Sequence, residues 1–174
     1  MVTAPHRWKQ QLKRTAAELD RRRSQVFWRA SSYASLEQTV MFGFYAVRKL
    51  IEGGWVDHRL RDTLVPVTSF PALPRPVMHR FAYPTVDQHF DLSRPQQQQL
   101  TLKKVCDQII HSFVFTPAFA ANRLVAIYFS SYKCRNKVHR AEITELAKVW
   151  RATAASRYVL LLHSGPEFNR YDER

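Results

Sequence analysis

Asp107 and His111 stand four residues apart, in a segment whose apolar residues recur with helical spacing. Residues at this spacing lie on one face of a helix, so the carboxylate and the imidazole are expected to be neighbours. A carboxylate can orient an imidazole and raise its pKa, which suits acid–base catalysis. Lys104 adds a cation one turn before Asp107. The pair is therefore the main candidate for catalysis, and the alternative is a surface pair without a catalytic role.

Two helices frame this candidate. The first is predicted over residues 32–53, where the apolar residues between Leu36 and Ile51 spread well beyond one face before Gly53 and Gly54 end the helix. Such a helix is expected in the centre of a fold or at a self-association interface. The second, over residues 100–114, carries its apolar residues on one face at Leu102, Val105, Cys106, Ile109, Ile110 and Phe113.

These two helices resemble HEPN-type helical domains, many of which are nucleases or components of defence and toxin systems. The resemblance rests on residues 35–53 and 105–112, which are 27 of the 174 residues. Active members carry an arginine, then a polar residue, then a histidine. Asp107 and His111 match the last two, and Cys106 stands where the arginine is expected. The resemblance implies a metal-independent ribonuclease or toxin, whereas the missing arginine favours a protein that does not catalyse.

Positive charge is concentrated in two parts of the sequence. The net charge is +13, with a pI near 10.3. Residues 1–30 hold eight Lys or Arg against two Asp or Glu, and residues 101–140 hold seven against one, so each segment has a net charge of +6. A surface that only served solubility would spread its charge more evenly. The concentration favours a polyanionic partner, nucleic acid above all.

Two groups of cations are the candidate binding residues. One group lies at the end of a helix predicted over residues 6–29, and the other lies in a basic turn between strands predicted over residues 122–131 and 137–143. The residues are Arg21, Arg22, Arg23, Lys133, Arg135, Lys137 and Arg140. Tyr128, Tyr132 and His139 lie near the second group in sequence. Cations interleaved with aromatic rings suit phosphates and base stacking. The alternatives are a solvated helix face and a strand edge kept soluble by its charges.

The whole pattern predicts one α+β domain over residues 1–174. It is expected to be mainly helical, with three to four helices and a small antiparallel sheet towards the C-terminus. The parts are a helical region, 1–63, a proline-rich extended arm, 64–98, a helix with a β-hairpin and a further helix, 99–165, and a tail, 166–174. A third strand is predicted over residues 157–163.

The absence of several well-known motifs argues against several classes of nucleotide-binding, hydrolase and metal sites. The sequence has no GxGxxG, P-loop, GxSxG or HExxH motif, and its two cysteines form no metal-binding or disulfide pattern. We therefore expect no metal and no cofactor. The lack of a long apolar stretch or a secretory signal predicts a cytoplasmic protein that does not bind membranes.

These observations predict a non-catalytic protein that binds nucleic acid, RNA in particular, as a subunit of a ribonucleoprotein or defence complex. One alternative is a HEPN-like ribonuclease or toxin. A second alternative is a scaffold whose basic face docks an acidic protein partner.

Overall fold

The computed structural model describes residues 4–74 and 85–157. These residues form six helices and one five-stranded antiparallel sheet, which confirms the α+β class. The helices are α1 (Pro5–Arg23), α2 (Ala30–Glu52), α3 (His58–Arg61), α4 (Val86–His89), α5 (Leu102–Ile110) and α6 (Ile143–Ala155). The strands are β1 (Leu64–Pro71), β2 (Gln96–Thr101), β3 (Ser112–Ala120), β4 (Arg123–Ser131) and β5 (Lys137–Glu142).

The sheet is larger than expected and draws strands from both halves of the chain. Its order is β2-β1-β5-β4-β3, so β5 is the central strand. Strand β1 and the first half of β2 lie in the segment 64–98 that was predicted to be an extended arm. Pairing of β1 with β5 runs from Thr68 to Pro71, so Pro66 precedes the doubly paired stretch and its missing N–H is tolerated. The predicted third strand, residues 157–163, lies almost wholly outside the described residues.

The helix expected over residues 100–114 is shorter than predicted. It ends at Ile110, and β3 begins two residues later at Ser112. β3 is an edge strand, where Pro117 is accepted because an edge position does not need its N–H for a second ladder. Ala121 and Asn122 connect β3 to β4 with φ of 47° and 60°. Positive φ at both positions of a two-residue loop defines a type I′ turn.

Helices α1, α2, α5 and α6 cover one face of the sheet and enclose the main core with it. Phe44 of α2 meets Trp150 of α6 edge to face, with ring centroids 5.4 Å apart. Gly43 allows this approach, because a Cβ at that position would lie 2.3 Å from the indole. The α2 stripe residues Leu36 and Val40 are fully buried within the chain. These residues pack inside the chain's own core, whereas Phe42 and Tyr45 of the same helix are each 42% exposed, so self-association through α2 stays a prediction.

The other face of the sheet carries a second, smaller core. Val138 of β5 and Phe70 of β1 are buried there together with Phe90, which follows α4. Burial on both faces explains why the central strand β5 contains few freely exposed side chains. Within residues 4–74 and 85–157, none of the helices has the length and apolar character needed to cross a membrane.

Candidate nucleic-acid interface

A short loop rich in lysine and arginine connects β4 to β5, the central strand of the sheet. It begins with a 3₁₀ turn, Tyr132–Cys134, and continues into β5 at Lys137. We call residues 132–137 the cationic loop. It contains Lys133, Arg135 and Lys137, three of the seven cations predicted to bind.

Buried polar side chains fix the backbone of the cationic loop. The hydroxyl of Ser130 lies 2.8 Å from the carbonyl oxygen of Lys137 and 3.1 Å from that of Cys134. Gln108 of α5 accepts the N–H of Ser131 at 3.1 Å, and its amide nitrogen lies 3.1 Å from the sulfur of Cys134. Ser130 and Gln108 are buried. The loop is therefore held at both ends and against α5, so its side chains project from a defined frame.

The side chains of this loop are largely open to solvent. Tyr132 is 67% exposed, and Lys133 and Arg135 are also exposed. The guanidinium of Arg135 lies over the Tyr132 ring, 5.3 Å from its centroid, and 3.3 Å from the phenol oxygen. In the described part of the chain, Lys133, Arg135 and Lys137 form no ion pair with a carboxylate. Their charges are consequently available to an external anion.

Helix α5, which contacts the cationic loop through Gln108, carries two further exposed cations, Lys103 and Lys104. Burial, reinforced by the charges of Lys137 and Lys104, lowers the pKa of His139 to about 4. Lys137 lies two residues before His139 in β5, so both side chains point to the same face of the sheet, the face that α5 covers. His139 itself is 1% exposed, so it belongs to the core and not to the surface near which its sequence position puts it.

Arg140 lies apart from the loop, in the central strand. It forms an ion pair with Glu142, two residues further along β5. Its Cα is in register with Thr68 of β1 and Tyr128 of β4, which puts it on the sheet face opposite His139. Arg140 is therefore partly neutralised and does not join the cationic loop.

The arginine run at the end of α1 occupies the opposite end of β4. Arg23 and Arg123 line one open cavity of about 340 Å³, which places the α1 end beside the start of β4. The cationic loop follows the end of that nine-residue strand, roughly 27 Å away at the rise of a β-strand. The two groups of predicted binding residues therefore do not form one patch.

Ion pairs also compensate the arginine run. Arg22 contacts Glu18 at 2.8 Å and Ser35 of α2 at 2.7 Å, with little of its side chain exposed. Arg21 pairs with the same Glu18, and Arg23 lies 3.9 Å from Asp20. Arg22 thus ties α1 to α2, which is a structural role.

Asp107 and His111 both contact a third residue, which sequence reasoning did not identify as a candidate. Nη1 of Arg48, on α2, lies 3.0 Å from Asp107 Oδ1 and 3.4 Å from His111 Nε2. Its Nε donates to Glu52 at 2.6 Å, and this hydrogen bond raises the pKa of Arg48. Because a guanidinium only donates, Nε2 of His111 is the acceptor in this contact. The three side chains form a partly exposed cluster between α2 and α5.

Sequence reasoning missed the positions of three residues. Arg48 and His111 are 63 residues apart, and only the packing of α2 on α5 brings them together. The helical pattern of residues 100–114 predicts that Gln108 is exposed, but it is buried against the cationic loop. Phe27, expected inside the first helix, follows it and is 85% exposed. Cys106 is a core residue as predicted, and burial raises the pKa of its thiol.

The sequence matches no protein-family model, and no curated protein or solved structure matches it.

Proposed function

We propose that this protein binds nucleic acid, with RNA as the favoured class, through the cationic loop and without catalysing a reaction. One observation carries the proposal. Lys133 and Arg135 project from a loop whose backbone is fixed by buried hydrogen bonds, and in the described residues neither is neutralised by a carboxylate. A fixed pair of free cations loses little conformational entropy when it engages phosphates.

The charge around the loop supports a polyanionic partner. Five cations lie on the loop and the adjoining helix: Lys103, Lys104, Lys133, Arg135 and Lys137. The stretch from residue 108 to 141 contains no acidic residue, and Asp107 is engaged by Arg48. Lys and Arg side chains that neutralise phosphates release condensed counterions, which makes such binding fall steeply with salt. RNA is favoured because its single-stranded regions present phosphates and unpaired bases together.

The test is a salt titration of the binding of a labelled RNA of about 20 nucleotides, followed by fluorescence anisotropy between about 50 and 200 mM salt. The double variant Lys133→Gln/Arg135→Gln is expected to bind more weakly, with a salt slope smaller by about 2. Lys13→Gln/Arg14→Gln, on the exposed side of α1, removes the same charge elsewhere and is the matched control. Equal losses in both variants, or binding by the wild type that does not depend on salt, would refute the proposal.

A metal-independent ribonuclease is the second candidate, because Arg48 contacts both Asp107 and His111. Active HEPN-type domains carry an arginine at the position of Cys106. Arg48 could supply that missing cation from the neighbouring helix α2. In such an enzyme His111 would transfer a proton and Arg48 would stabilise the charge that develops on the phosphate. Glu52 and Asp107 both contact Arg48, however, so its charge is already compensated. This is why binding without catalysis is the first candidate.

The ribonuclease is tested by following the integrity of the same RNA over time in the presence of a chelator. His111→Ala should abolish cleavage while the thermal unfolding curve stays unchanged. His58→Ala, at a side chain that is 82% exposed, is the control and should keep full activity. Intact RNA with the wild type, or unchanged cleavage by His111→Ala, would exclude this candidate.

A further inference from the structure

We infer that the cationic loop recognises single-stranded nucleic acid by stacking an unpaired base on Tyr132. This inference rests on the proposed function and adds the class of ligand and the group that selects it. The phosphates of the flanking nucleotides would be contacted by Lys133 and Arg135.

Tyr132 has the exposure that such a stack needs. Its side chain remains 67% exposed although it contacts Arg135 over the ring and Phe113 edge to face, with ring centroids 6.3 Å apart. Tyr132 therefore presents open ring area beside Lys133 and Arg135, in a loop that contains no acidic residue. Base stacking covers such a ring and at the same time brings phosphates to the cations.

The position of Tyr132 in the backbone makes the ring a preorganised platform. Tyr132 follows Ser131 directly, and the N–H of Ser131 is held by buried Gln108 at 3.1 Å. The hydroxyl of Tyr132 also lies 3.3 Å from Nη1 of Arg135, which restrains the ring. A base that stacks here need not order a mobile loop first, so more of the stacking interaction contributes to affinity.

A duplex cannot use this platform. Along an A-form helix the base faces are stacked on one another, and the accessible minor groove offers 2′-hydroxyls and base edges but no base face on which a ring can stack. A single strand offers its base faces, and stacking on an aromatic side chain is worth about tenfold in affinity per base. Stacking itself does not distinguish ribose from deoxyribose, so single-stranded RNA and single-stranded DNA are expected to share this contact.

The experiment compares three labelled probes of one sequence: single-stranded RNA, single-stranded DNA and the blunt RNA duplex. Wild-type protein should bind the single-stranded RNA about tenfold more tightly than the duplex. Tyr132→Leu should reduce single-strand binding to the level of the duplex and leave duplex binding unchanged. Tyr132→Phe, which keeps the ring, should stay within about twofold of the wild type. Tyr45→Leu, at a tyrosine on α2 that is 42% exposed, is the matched control and should bind as the wild type does.

The outcomes separate this inference from the proposed function. If Tyr132→Leu binds every probe as the wild type does, base stacking is wrong while the nucleic-acid function stands. Equal affinity of the wild type for single strand and duplex would also overturn the stacking. If no probe is bound at low salt, both the inference and the proposed function fail. Loss of single-strand binding in Tyr132→Leu for RNA and DNA alike would support the inference.

Discussion

Ser69 of β1 and His139 of β5 face each other inside the main core, with Ser69 Oγ 2.8 Å from His139 Nδ1. Ser69 donates its single proton to Oε1 of Gln98 on β2, 3.1 Å away, so Nδ1 of His139 is the donor to Ser69. Nε2 of His139 is buried, and no partner for it exists among the described residues. The neutral imidazole is thus fixed in one tautomer across three neighbouring strands.

We expect acid to destabilise the protein through His139. Burial lowers the pKa of His139 to about 4, whereas an unfolded chain titrates its histidines near 6.5. Between about pH 6.5 and 4 the unfolded state therefore binds more protons, so stability falls as the pH falls, by on the order of 3 kcal/mol. The measurement is urea unfolding of wild type and His139→Asn at several pH values. The free energy of unfolding should depend less steeply on pH in the variant than in the wild type. An equal pH dependence in both proteins would show that His139 is not responsible.

Gln108→Leu should release the cationic loop. The substitution leaves the buried N–H of Ser131 without its acceptor, which costs about 1–3 kcal/mol. Hydrogen exchange at residues 131–137 should accelerate, and RNA binding should weaken although no charge has changed. Gln38→Leu, at an exposed position of α2, is the control. Unchanged exchange in the loop would mean that Gln108 does not hold it.

Gly43→Ala should disrupt the packing of α2 on α6. A Cβ at residue 43 would lie 2.3–2.6 Å from ring atoms of Trp150, so the indole must move, at a cost of about 1–3 kcal/mol. Trp150→Phe makes room, and the double variant should lose less stability than the sum of the two single variants. Gly54→Ala, where a Cβ has open space but φ is +72°, reports backbone strain alone. Additive losses from Gly43→Ala and Trp150→Phe would argue against the steric explanation.

Ala121→Asn should stabilise the β3–β4 hairpin. Ala121 has a φ of 47°, a conformation that costs a residue with a Cβ about 1 kcal/mol and that asparagine tolerates best among such residues. The melting temperature should therefore rise. Ala120→Asn, one residue earlier in the paired strand, should not raise it. A lower melting temperature for Ala121→Asn would show that the turn has another conformation.

Helical periodicity predicted the parts of the fold that depend on local pattern. The apolar stripe of α2 lies where the sequence placed it, and the stripe of α5 does so as far as Ile110, because burial of a helix face leaves a repeat of three to four residues. Phe113, the last residue of the predicted α5 stripe, lies in β3. The strand and turn at β4 were also predicted, from the apolar run between Leu124 and Phe129. The positively charged turn after Ser131 followed from composition.

Strands β1 and β2 could not be predicted in the same way. Pro66 and Pro71 argue against a strand locally, and β2 consists mainly of glutamines without alternation. Their pairing depends on partners that are distant in sequence, such as Thr68 with Arg140. The contact of Arg48 with His111 could not be predicted for the same reason. It depends on how two helices that are distant in sequence pack against each other.

The first and the last described helices, α1 and α6, pack against each other. Lys9 of α1 donates to the carbonyl oxygen of Ser156 at 2.6 Å, across 147 residues, and Arg151 of α6 pairs with Asp20 of α1. During synthesis α1 leaves the ribosome well before α6, by roughly ten seconds or more at ordinary translation rates. Throughout that interval the apolar face of α1 that includes Leu12 and Leu19 lacks its α6 partner. The apolar face of α1 can therefore be fully buried only after α6 has been translated.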